Sequence, residues 1–157
     1  GPGVGGHCIA VDPWFIAATA PERTPLIQTA RHVNDGRPAV IAKQIASLTS
    51  VKNGAPIACL GLSYKADIDD LRESPSIHVV TELRNLVDNP IIVVEPHTEV
   101  LPKSLAALAD TRLMPFDEAV AEAGAIVLLT DHKAFSIGNG EALKGKDVLN
   151  TRGAWSI

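Results

Sequence analysis

The chain has 157 residues, 46% of them apolar and 20% charged, and a net charge of −4. That length suffices for one domain with a proper core and is too short for two full ones. The acidic balance with no basic cluster excludes a nucleic-acid surface, and no apolar run nears the roughly 20 residues of a membrane span.

In chain order the first stretch is a glycine-rich loop, with Gly1, Gly3, Gly5 and Gly6 leading to His7, Cys8 and, four residues on, Asp12. Glycines leave the backbone bare, so a small substrate has room to approach it closely beside the thiol. A short helix is predicted over 13–19, with Asp12 as its N-cap and Pro13 in its first turn. Residues 20–25 break it, and helical spacing returns from about 25 to 50, interrupted at Asp35-Gly-Arg-Pro38. Beyond a turn near Lys52, short apolar runs alternate with amphipathic stretches. Strands are predicted at 56–61, 90–95, 112–114, 125–130 and 147–150. Helices are predicted at 74–87, 103–109 and 116–123, and part of 132–144 is predicted helical. This alternation is that of an α/β chain with right-handed crossovers and a doubly wound parallel sheet, whose ligands bind beyond the carboxyl ends of the strands.

Three segments carry candidate chemistry. Cys8 becomes a nucleophile if loop N–H groups stabilise its thiolate and an oxyanion; the plainer reading is a structural cysteine. Cys59, inside an apolar strand, reads as core. Gly61-Leu-Ser-Tyr-Lys-Ala-Asp-Ile-Asp-Asp-Leu-Arg-Glu-Ser-Pro75 follows the first strand. It lacks the Gly-x-Gly-x-x-Gly fingerprint, but Lys65 and Arg72 suit phosphate groups, and Ser74 opens a helix N-terminus that favours an anion. The plainer reading there is a solvated loop in which Asp67, Asp69 and Asp70 pair with the cations. Arg152 follows the last strand in Asn150-Thr-Arg-Gly153. Thr130-Asp-His132 is read only as lining the cleft, and Glu95-Pro-His97 stands where an acid for a ribose is often found. Two distant cysteines and five scattered histidines show no ligand spacing, so no metal is expected. The same two cysteines suggest no disulfide framework and a reduced, cytoplasmic setting.

These segments together resemble the UDP-glucose/GDP-mannose dehydrogenase family. Residues 1–15, and above all Gly6-His-Cys-Ile-Ala-Val-Asp-Pro-Trp-Phe15, resemble its catalytic cysteine loop in the UDP-N-acetyl-D-mannosamine branch. Val11 stands where the UDP-glucose and GDP-mannose branches have a lysine. Arg31-His-Val-Asn-Asp35 resembles the family's Asn-Asp segment, and residues 61–75 fit its Gly-x-x-(Phe/Tyr)-Lys…Arg-Glu-Ser pattern. Asn150-Thr-Arg152 is similar to its Asp-x-Arg motif, with Asn150 replacing the aspartate.

The resemblance implies a catalytic loop and linking, dimerising helices over 1–52, then a Rossmann-like UDP-sugar-binding domain over 53–157. It implies oxidation of a UDP-sugar C6 alcohol to the uronic acid with two NAD⁺, through a Cys8 thiohemiacetal and thioester, with Asp12 assisting water or proton movement. Gly5, Gly6, Tyr64, Lys65 and Arg152 are implied to contact the substrate, and Arg72 the cofactor or active site. The chain is expected to be the C-terminal part of a homodimeric enzyme, inactive without its NAD-binding domain. A non-catalytic nucleotide-binding or oligomerisation module is the alternative.

Overall fold

The computed structural model describes residues 1–137 and 140–155. Its centre is a five-stranded parallel sheet of β1 (Ile57–Leu60), β2 (Ile91–Val94), β3 (Thr111–Leu113), β4 (Ala125–Leu128) and β5 (Asp147–Asn150). The spatial order is β3-β2-β1-β4-β5. β1, β2 and β4 are buried at every position, which is why they read as unbroken apolar runs rather than alternating ones.

Successive strand residues face opposite sides of the sheet and build two cores. Ile57, Cys59, Ile91, Val93, Ala125 and Val127 pack against α3 (Arg37–Ala46), α5 (Pro75–Arg84) and α6 (Lys103–Ala106). Ala58, Leu60, Ile92, Val94, Ile126 and Leu128 pack against α7 (Phe116–Glu122), with Phe135 and Leu143. Each fully buried Leu or Ile contributes roughly 1.5–3 kcal/mol of transfer free energy. α3 delivers Ile41, Ala42 and Ile45 into the first of these cores, so the N-terminal helices and the sheet share apolar packing across residue 52.

The remaining α-helices among the described residues are α1 (Asp12–Thr19), α2 (Pro25–Asp35) and α4 (Thr49–Lys52). α1 begins one residue earlier than its sequence pattern suggests. Val11 rather than Asp12 is its N-cap position, and Asp12 is its first residue and makes no cap hydrogen bond. An acid there still favours the helix by lying in the first turn. The break between α2 and α3 falls at Gly36, as the Asp35–Pro38 sequence implies. Asp147, at the start of β5, accepts from the Ser50 amide at 2.7 Å and so caps α4 from across the chain. The helix predicted within 132–144 is reduced to a single 3-10 turn, Glu141–Leu143, with Gly140 in a left-handed conformation before it. Of that stretch residues 138–139, and of the predicted sugar-binding domain residues 156–157, lie outside the described residues.

Candidate active site and nucleotide-binding edge

The sheet reverses its winding between β1 and β4, which are neighbours although two strands and three helices separate them in the chain. In such sheets the usual ligand position lies beyond the carboxyl ends of the strands at that point. Gly61 leaves β1 with φ +89°, and a Cβ there would sit 2.5 Å from Cβ of Thr130, just past β4. Only glycine permits both the turn and that approach.

The N-terminal glycine loop lies across this edge. A Cβ on Gly5 would fall 2.4 Å from the Glu73 carbonyl oxygen, and one on Gly6 (φ +93°) 2.8 Å from the Tyr64 ring. Both glycines are buried. Close packing of the chain on itself, at Tyr64 and residues 73–75, is therefore enough to require glycine at both positions. Asn34, on α2, fixes the loop from the other side. Its Oδ1 accepts from the Val4 amide at 2.7 Å, and its Nδ2 donates to the Val4 carbonyl at 3.1 Å. A cavity of about 360 Å³ lies behind the loop, lined among others by Trp14, Arg31, Asn34, Pro38 and His78.

Cys8 is exposed on this loop, and its carbonyl accepts from the amides of Val11 (2.9 Å) and Asp12 (2.8 Å). That turn ties the Asp12 backbone to Cys8, and Asp12 is also exposed. Cys59 is its opposite, since full burial pushes that thiol up to about 12. Arg72 grips Asp70 with two nitrogens, Nε to Oδ1 at 2.9 Å and Nη2 to Oδ2 at 2.7 Å. This pairing holds Asp70 down at about 2 and raises Arg72, to which Cys8 adds a weaker electrostatic contribution. His7 Nδ1 stands 4.0 Å from Asp70 Oδ2. The cysteine loop and the post-β1 loop thus meet around Asp70 and Arg72.

Lys65 is exposed and, among the described residues, forms no ion pair. The neighbouring cations are all paired. Arg152 Nε donates to Asp131 at 2.8 Å, Lys133 Nζ lies 3.4 Å from Asp67, and Arg72 holds Asp70. Arg152 also lies against the start of the cysteine loop, its Nη1 3.0 Å from where a Gly1 Cβ would stand. A groove of about 450 Å³ opens near it, lined among others by Asp131, His132, Phe135 and Trp155. Trp14 stands edge-on to His32, Trp155 Nε1 donates to the Phe135 carbonyl, and Phe116 packs against the Phe135 ring.

Sequence reading undervalued two buried residues here. Glu95, just past β2, has a fully buried side chain. Its Oε2 accepts from the amides of Leu62 (2.7 Å) and Ser63 (3.0 Å), and its Oε1 from that of His97 (3.1 Å). It is consumed within the fold and is not displayed for a ribose. His132, also fully buried, lies with Nε2 3.3 Å from Glu95 Oε2. Burial pushes the Glu95 carboxyl up, but bonds from His132 and the backbone amides outweigh it and hold the group below its ordinary value. The one signal available was a charged residue and a histidine each closing an apolar strand run.

Asp67, His97 and His132 bring three ligand-type atoms within 4.8 Å of one another. They do not make a good cation cage. His132 Nδ1 already accepts from the Asp67 amide at 2.9 Å, and Lys133 lies against the Asp67 carboxylate.

Comparison with known proteins agrees with this geometry. Residues 58–156 match the UDP binding domain of the UDP-glucose/GDP-mannose dehydrogenase family. The chain is 47% identical over 156 residues to an NDP-N-acetyl-D-galactosaminuronic acid dehydrogenase of Ralstonia nicotianae, covering 99% of this chain and 36% of that protein. It is 42% identical over 163 residues to the UDP-N-acetyl-D-mannosamine dehydrogenase of Escherichia coli K12, covering 99% and 38%. Among solved structures it is similar to the UDP-N-acetyl-mannosamine dehydrogenase of S. aureus, at 33% identity and a TM-score of 0.72, covering 98% of this chain and 35% of that one. The chain thus spans little more than a third of the relatives it matches. With its cysteine loop, its parallel sheet and the family's motifs in order, the chain belongs to the UDP-glucose/GDP-mannose dehydrogenase family.

Proposed function

We propose that the chain is the nucleotide-sugar-binding and thiol-bearing part of an NAD-dependent 6-dehydrogenase for a UDP-N-acetyl-hexosamine, with UDP-N-acetyl-D-mannosamine as the expected substrate. The observation that carries this reading is Lys65, an exposed cation with no ion pair among the described residues, at the carboxyl end of the central strand and inside the segment matched to a UDP-binding domain. A point charge at that position suits a diphosphate. Tyr64, Gly5 and Gly6 bound the same edge. Arg152 joins them if phosphate displaces Asp131 from it, and Arg72 faces the cofactor side on exchanging Asp70 in the same way.

The chain does not itself form a dinucleotide cradle. Its post-β1 loop lacks the further glycines that such a cradle needs, and the loop's first amides are taken by Glu95. NAD, held outside this chain, would accept the hydrides removed from C6. This chain's own step is capture of the C6 aldehyde. The Cys8 sulfur bonds to the carbonyl carbon, and the thiol proton passes to the oxygen, giving a thiohemiacetal. After its oxidation to a thioester, water adds to the carbon, the carbon–sulfur bond breaks and the thiol is regenerated with the carboxylate. In this reading Asp12, four residues beyond Cys8, accepts a proton from that water.

Exposed Val4 on the loop and Leu26, Val33 and Val40 on α2 and α3 suit a surface covered by the rest of a homodimeric, cytoplasmic enzyme. No helix among the described residues is long and apolar enough to cross a membrane. Alone, the chain is expected to be inactive. Calorimetric titration with UDP and with NAD⁺ tests the assignment. Binding of UDP alone, weakened but still measurable in Lys65→Ala and in Arg152→Ala, is the expected result. Preference for NAD⁺ would mean that the sheet has been assigned the wrong ligand.

A further inference from the structure

The backbone from Leu62 to Asp67 is held from both flanks by groups that the proposed chemistry does not use. β2 and β4 flank β1 in the sheet, and Glu95 and His132 stand just past their ends. Glu95 takes the Leu62 and Ser63 amides. His132 Nδ1 takes the Asp67 amide at 2.9 Å, so that nitrogen carries no proton. Its proton is then on Nε2, which faces Ser63 Oγ at 3.1 Å and Glu95 Oε2 at 3.3 Å. Ser63 Oγ gives its own hydrogen to the Lys65 carbonyl at 2.7 Å, leaving its lone pairs for His132. Thr130 Oγ1 donates to the Ser63 carbonyl and Ser74 Oγ to the Leu62 carbonyl. The backbone on both sides of Tyr64 and Lys65 is thus bonded to buried side chains, while the Lys65 side chain stays in solvent.

We propose that Glu95 and His132 are positioning residues: the buried pair clamps residues 62–67 in one conformation and thereby presents Lys65 and Tyr64 to the nucleotide diphosphate. The proposal rests, for its ligand, on the nucleotide reading above. A polar network in a dry site has a cost unless every member is paired, and here each named donor meets an acceptor, so the arrangement specifies a single loop shape. The clamp also reaches the thiol, because the Tyr64 ring that it holds is the surface on which Gly6 of the cysteine loop rests.

The test compares this chain with His132→Leu, which removes both ring bonds, and His132→Gln, which can still donate and accept. Amide hydrogen exchange is measured residue by residue, alongside calorimetric UDP affinity in wild-type and Lys65→Ala backgrounds. His132→Leu should speed exchange about tenfold at Asp67, the order expected of its one lost buried hydrogen bond, and to a smaller extent at Ser63, whose amide keeps its bond to Glu95. Exchange in β2 should stay unchanged, and His132→Gln should restore part of the protection. UDP affinity should fall by a similar factor in the wild-type background and by clearly less in the Lys65→Ala background, where only the presentation of Tyr64 is left to lose. Unchanged exchange at Ser63 and Asp67, or equal acceleration there and in β2, would overturn the clamp, and so would equal affinity losses in both backgrounds. If the unmodified chain binds no UDP, the nucleotide reading fails, and the exchange pattern alone decides whether the clamp exists.

Discussion

At the scale of single residues, the two cysteines show how one side chain acquires two characters. Cys59 is locked in the core with its thiol raised to about 12, while Cys8 stands in solvent on a turn. Reactivity follows the thiolate and its access. Iodoacetamide at pH 7 should therefore label Cys8 alone, read by mass spectrometry of the folded chain. Label on Cys59 would contradict the placement of β1 in the core. Gly6 tests the loop in the same way. Its positive φ and the 2.8 Å approach to the Tyr64 ring leave no space for a methyl group. Gly6→Ala should cost about 2 kcal/mol in urea unfolding. A neutral result would show that the loop does not rest on Tyr64.

At the scale of elements, the start of α5 joins helix capping to the site. Ser74 Oγ accepts from the Ser76 amide at 3.2 Å and donates to the Leu62 carbonyl at 2.6 Å, and the residue is buried. One hydroxyl thus caps the helix and ties it to the post-β1 loop. Ser74→Ala should lower stability by about 1–2 kcal/mol in denaturant titration. Ser74→Thr, if its extra methyl is accommodated, should recover most of it. Sequence showed the cap through Ser74-Pro75 but not the bond to Leu62, because that carbonyl is twelve residues away and is brought near only by the turn at Gly61.

For the whole molecule, the strand order decides where charge can be buried. Because β1 lies between β2 and β4, a carboxylate past one flank and an imidazole past the other meet over its end with no solvent contact. The Glu95 carboxyl is held below its ordinary value. A group lowered in this way adds stability above its unfolded pKa, near 4.3, and that stability is lost as pH falls through the folded value. Melting temperature should therefore drop on acidification below about pH 4.5, and the drop should be shallower in Glu95→Gln. At pH 7 that variant should itself be less stable by about 1–3 kcal/mol, because its amide nitrogen cannot accept the backbone amides that the two carboxylate oxygens take. An equal acid slope in both proteins would remove Glu95 from the account.

The sequence by itself determined the α/β class, every strand to within a residue or two, and the segments where chemistry gathers, because apolar periodicity and glycine-proline punctuation are local properties. The family resemblance was likewise legible in residues 1–15 and 61–75, and the match over 58–156 agrees with it. Only the tertiary structure decided the rest. It showed that Gly5 and Gly6 make room for Tyr64, that Asn34 clamps the loop, and that Asp12 is the first residue of its helix and not the cap. It showed that the 132–144 stretch contains one 3-10 turn and that Glu95 and His132 face each other. These outcomes depend on which strands lie side by side, and contacts between residues thirty or more positions apart leave no periodic trace in the chain.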